Sequence, residues 1–112
     1  MDVDPRNESS KEAFARMLSR GRTICDSVEN YVIARHKAAN YAPSEAQLLT
    51  QLEEDIAAFR TVANQYEKNE QNSHTTQPFN HTAVCRVLSR KYRELINTAF
   101  MHVVNAPSDN LP

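Results

Sequence analysis

One glycine, Gly21, stands in 112 residues, and this scarcity constrains the fold more than any other feature. Glycine supplies the left-handed backbone of tight turns and the close approach of backbone to phosphate. A chain almost without it is poorly suited to β-rich folds and carries no Gly-rich phosphate loop or dinucleotide fingerprint. Long helices are what remains. The length sets one domain, 1–112. A hydrophobic content of 40%, a mean hydropathy of −0.64 and the absence of tryptophan suit helices with narrow apolar stripes. No apolar run approaches the roughly 18 residues of a membrane span. The opening Met1-Asp2-Val3-Asp4-Pro5-Arg6 is unlike a secretory signal. Cys25 and Cys85 lie far apart, each within a helical pattern, and read as two reduced thiols in a cytoplasmic protein. Asn7-Glu8-Ser9 and Asn80-His81-Thr82 then read as chance matches to the glycosylation pattern.

The periodicity predicts an all-α fold with helices over about 10–40, 44–69 and 80–105. Ser9-Ser10-Lys11-Glu12 forms a capping box at the first start. Phe14, Met17, Leu18, Ile24, Cys25, Val28, Val32 and Ala39 then recur on one face with Gly21 among them, which marks either a close helix crossing or a kink. Asn40-Tyr41-Ala42-Pro43 ends that helix, and Ser44-Glu45-Ala46-Gln47 offers a second box. Leu48, Leu49, Leu52, Ile56, Phe59, Ala63 and Tyr66 form the second stripe. Residues 69–79 read as a flexible loop and 107–112 as a short polar tail. The third stripe is Val84, Leu88, Tyr92, Leu95, Ala99 and Val103, flanked by Val87, Ile96 and Phe100. The short break between the first two helices favours an antiparallel hairpin. With such narrow stripes, two copies are expected to pair into a dimeric four-helix bundle, the third helix packed on or beside it.

Charge is unevenly divided. Thirteen basic and 14 acidic groups leave a net charge of −1. Residues 43–78 nevertheless hold two basic and six acidic groups, and residues 79–112 four and two. In the third helix Arg86, Arg90 and Arg93 fall at steps of four and three on one edge, almost opposite the apolar stripe. Spaced about 6 Å apart, they can each meet a phosphate or simply form a solvated face. Arg16, Arg20 and Arg35 flank the stripe of the first helix, where they serve as a second phosphate rail or cover apolar surface with their stems. Arg60 interrupts an acidic helix and pairs with Glu53 or Glu67, or reaches a ligand. His36, His74, His81 and His102 include no i, i+4 pair, and His81 with Cys85 makes only two ligands, so neither a metal, a cofactor nor a catalytic centre is expected. The aromatic residues do not interleave with basic ones as a single-strand platform requires.

Arg60-Thr61-Val62, followed after four residues by Glu67-Lys68, resembles a stretch in the small RNA-silencing suppressors of insect nodaviruses. That family is similar in length, near-neutral charge, glycine poverty and order of three helices. The resemblance implies an antiparallel homodimer lying along double-stranded RNA in the host cytoplasm. It would shield the duplex from the Dicer nuclease by contacts to phosphates and 2′-hydroxyls, without catalysis. Arg60 and Lys68 are the positions that carry over.

Two functional expectations follow. The first is sequence-independent duplex-RNA binding that suppresses silencing, through Arg16, Arg20, Arg35, Arg60, Lys68, Arg86, Arg90 and Arg93. The alternative is a small helical adaptor, chaperone or regulatory subunit that buries an amphipathic face against a partner protein. A DNA-binding regulator is a weaker third, since no helix-turn-helix signature is present.

Overall fold

The computed structural model describes residues 9–38, 43–72 and 79–105. Three α-helices form: α1 (Ser10–Lys37), α2 (Pro43–Asn72) and α3 (His81–Asn105). The residues expected to break the first helix at 40–42, the loop core at 73–78 and the tail at 107–112 lie outside this description.

The start of α1 is the capping box. Ser9 Oγ accepts from the Glu12 backbone N–H at 3.1 Å and donates to Glu12 Oε1 at 2.9 Å, a cap worth about 1 kcal/mol. The helix stops at Lys37, three residues short of its expected end, because Ala38 turns to extended backbone and its N–H bonds back to Arg35 O. Arg35, His36 and Lys37 crowd the last turn, where cations favour the exposed carbonyls. α2 begins at Pro43, not Ser44. Proline suits the first helical position because its missing N–H has no partner there, and Ser44 is thereby placed inside the first turn instead of at the cap. α2 also runs on to Asn72, into the segment expected as loop. Glu70, in that extension, holds His81 Nε2 at 2.5 Å, so the polar turn gains a tertiary partner. Asn80 caps α3, its Oδ1 accepting from Ala83 N–H at 3.0 Å.

Paired side chains fix how the helices run. Arg35 near the end of α1 meets Glu45 at the start of α2, and Arg22 meets Glu67 further along. These two helices therefore run in opposite directions. Phe79 and His81 at the start of α3 pack on Phe14, and His102 near its end meets Tyr31. α3 thus runs alongside α1, and each helix touches both others. Phe14, Leu18, Cys25 and Val32 of α1, Leu49, Leu52, Ile56, Phe59 and Ala63 of α2, and Leu88 and Leu95 of α3 make one buried core. The apolar stripes of α1 and α2 are therefore covered by α3 of the same chain.

Gly21 marks a close helix crossing. A Cβ there would lie 1.9 Å from Phe59 Cζ, so the ring occupies the space a side chain would need. Its φ is not positive; the requirement is for room, not for unusual backbone. Cys25 lies fully buried beside this contact, its Sγ 4.0 Å from Ile56 O. Burial pushes its thiol pKa up, partly offset by Arg60, so Cys25 is an inert core thiol.

The third stripe needs one correction. Leu88 and Leu95 are buried and Val84, Tyr92 and Ala99 half-buried, as expected, but Val103 is 67% exposed and His102 takes the inward position. Seven residues from Leu95 to His102 is two turns; Val103 lies about 100° further round.

Candidate functional site

α2 holds its neighbours by its carboxylates. Glu45 takes Arg35 and His102, Glu53 takes His36, Asp55 accepts from the Thr98 hydroxyl, Glu67 takes Arg22 and Glu70 takes His81. The acidity of α2 is thus largely spent inside the molecule. Arg60 is the exception in sign. It reaches neither Glu53 nor Glu67, but binds Glu29 at 2.7 Å and Asp26 at 2.8 Å on α1. The hydrogen bond to Glu29, with that to Asp26 beside it, pushes the guanidinium pKa further up, and Arg60 holds the Glu29 carboxyl below its usual range.

Arg35 is likewise directed inward. It grips Glu45 through two bonds, Nε to Oε1 at 2.6 Å and Nη2 to Oε2 at 2.9 Å. Glu45 is 2% exposed, and His102, with no exposure, donates from Nε2 to the same carboxylate oxygen at 3.1 Å. Tyr31 OH closes the cluster on His102 Nδ1 at 3.1 Å. Sequence reading missed this group entirely. Its one visible trace is an arginine and a glutamate ten residues apart across a helix break.

The other expected cations are arranged differently. Arg86, Arg90 and Arg93 line a groove of about 570 Å³ between α3 and α1, with Ser10, Ala13, Thr82, Cys85 and Ser89. Arg16 and Arg20 line its continuation with Met17. Five arginines from the two helices therefore share one seam, and no carboxylate lines either part of it. Lys68 is exposed on α2 and lies outside this seam.

Two apolar surfaces are uncovered. On the C-terminal half of α3, Ile96, Phe100, Met101, Val103 and Val104 are 36–67% exposed, and no charged residue occurs from Leu95 to Asn105. On the far side of the molecule an open groove of about 510 Å³ runs between α1 and α2. Ile33 and Ala57 are its exposed apolar members, set over the buried Val32 and Ile56, and Glu29, His36, Glu53 and Arg60 give its polar lining.

Among the described residues, no group of three or more His, Cys, Asp or Glu side chains is placed to hold a metal ion. His81 is engaged by Glu70. No helix among them is long and apolar enough to cross a membrane. Comparison of the chain with protein-family models, with curated proteins and with solved structures gives no match. The nodaviral resemblance rests on its own residues.

Proposed function

We propose that the chain is a non-catalytic helical module that works by binding another protein through the outward face of α3. One observation carries this reading: the exposed apolar stretch from Ile96 to Val104. Ile96, Phe100, Val103 and Val104 fall within about 100° of arc at 100° per residue. Single exposed hydrophobes are ordinary; several gathered on one helix end with polar surroundings mark an interaction surface. A photo-crosslinking residue at position 100 tests it, with position 65 on α2 as the exposed control. Position 100 is expected to give a protein adduct of defined mass, either in the purified chain or in a cell extract. Equal yields from both positions in both settings would overturn the reading.

A second reading is favoured by the arginine seam. Arg16, Arg20, Arg86, Arg90 and Arg93 form two rails whose spacing suits a phosphate backbone, supporting sequence-independent binding of double-stranded RNA. A rigid helical rod meets A-form RNA through shape, phosphates and 2′-hydroxyls, and the outcome would be a shielded duplex and suppressed silencing. On this reading the second helix contributes less than the nodaviral resemblance implies, since Arg60 is held by Glu29 and Asp26. Gel shifts with duplex RNA and duplex DNA of equal length at two salt concentrations test it. RNA binding is expected to weaken steeply with salt, and Arg90→Glu to weaken it for all sequences alike. No complex at low salt would end this reading.

A further inference from the structure

We infer that the partner on the α3 face is a second copy of this chain, whose α1/α2 groove receives α3 as a fourth helix, so that copies join head to tail. This rests on the reading that the α3 face binds protein. Each chain carries both halves of the contact. The donor half is the outward face of α3, with Arg86, Arg90 and Arg93 followed by the apolar stretch from Ile96 to Val104. The receptor half is the groove whose exposed apolar side chains are Ile33 and Ala57, with the buried Val32 and Ile56 at its floor.

Charge selects this pairing. Asp26, Glu29 and Glu53 set three carboxylates around the groove, Asp26 and Glu29 sharing the one guanidinium of Arg60 and Glu53 bonded to His36, so acidic groups outnumber arginine and lysine there. Glu29 stands towards one end of it and Glu53 towards the other, so an incoming basic helix meets a carboxylate in either direction. Pairing α3 with α3 in parallel would instead bring one arginine row onto another. Pairing them antiparallel would avoid that clash but leave the α1/α2 groove bare. The head-to-tail contact covers both apolar surfaces with a single kind of interface.

Length is compatible. From Glu53 to Asn64 the groove follows α2 for about 17 Å, and from Ile96 to Val104 the apolar stretch of α3 measures about 12 Å, at 1.5 Å per residue. The stretch therefore fits within the groove, and the arginines fall at or beyond its end. Seating one helix between two others is the usual way bundles bury such a stripe. Because donor and receptor are different surfaces, the contact is heterologous and propagates as a ring or an open filament.

Two exposed-site variants test this by light scattering across a concentration series. Phe100→Asp disables the donor and Ile33→Asp the receptor; Val104→Asp and Ala57→Asp are second variants should either first one lose its helical circular dichroism. The wild type is expected to grow past a dimer with concentration. Each variant alone is expected to be monomeric, its self-association weakened at least tenfold. An equimolar mixture of the two is expected to give a one-to-one heterodimer that grows no further, because one intact donor and one intact receptor remain. Three results would overturn the inference: a wild type monomeric throughout, an Ile33→Asp protein that assembles like the wild type, or a mixture that stays monomeric. A foreign adduct from position 100 would in those cases leave the α3 reading standing, whereas equal crosslinking from positions 100 and 65 would remove both.

Discussion

Phe59→Ala is expected to lower the free energy of unfolding by about 3–5 kcal/mol in chemical denaturation, a large share of the roughly 5–15 kcal/mol a domain of this kind has. Phe59 is fully buried, and its ring fills the space above Gly21. The same contact gives Gly21→Ala an unusual signature. In an open helix position that change would stabilise by about 1 kcal/mol through propensity. Here the new methyl group meets a ring whose own burial prevents it from swinging away, and overpacking of this kind costs about 1–3 kcal/mol. The single variant is therefore expected to be less stable than the wild type. In the Phe59→Ala background the sign should reverse, because the space is empty and only the propensity gain remains. A double-mutant cycle measured by denaturant melts checks this. An additive cycle would show that the two residues do not compete for one volume.

Glu45→Ala is expected to cost about 3–5 kcal/mol, the loss typical when one partner of a buried ion pair is removed. It strands the Arg35 guanidinium, whose side chain is 14% exposed, and the fully buried His102. Glu45→Gln keeps the shape and some of the hydrogen bonds, and should fall between wild type and alanine. The cluster also fixes an acid limb. Hydrogen bonds from Arg35, opposed by desolvation and aided by His102, hold the Glu45 carboxyl below its ordinary value of 4.5. The unfolded chain therefore binds this proton more readily than the folded one. Stability from Glu45 is present above about pH 4.5 and is lost as pH falls through the depressed folded value. Glu67, lowered by its hydrogen bond to Arg22, adds to the limb with the same sign. Thermal melts from about pH 6 to 3 should show a steep fall for the wild type and a shallower one for Glu45→Gln. Equal slopes would mean that Glu45 titrates alike in both states.

The helices and most of the core were legible because burial follows the spacing of aliphatic and aromatic residues. Phe14, Leu18, Cys25 and Val32, or Leu49, Leu52, Ile56 and Phe59, declare their face through period alone. Gly21 was legible as an anomaly, but only the position of Phe59 decides between a crossing and a kink. The failures concern residues whose environment is made by distant partners. His102 reads as polar and Val103 as apolar, yet the histidine is inside and the valine outside, because Glu45 and Tyr31 satisfy both ring nitrogens where α3 crosses the other two helices. Glu45 reads as an ordinary first-turn acid until Arg35 and His102 close over it. Arg60 was legible as an internal ion-pair candidate, but its partners lie on α1, a helix away from the neighbours that spacing suggests. The arginines of α1 and α3 were readable as two separate rows; that they line one seam is a product of packing.

The ion pairs named above that join helices among the described residues have one property in common: α2 supplies a partner to each of them. Between α1 and α3 the described contacts are of another kind, ring stacking of Phe14 with Phe79 and His81, Ser89 against the Met17 sulfur, and Tyr31 on His102. Added salt screens the exposed charge pairs and leaves dispersion contacts almost untouched. Rising ionic strength should therefore weaken the exposed pairs along α2, Arg22 with Glu67, His36 with Glu53 and Arg60 with Asp26 and Glu29, while the apolar core of α2 and the buried Arg35–Glu45–His102 cluster hold it in place.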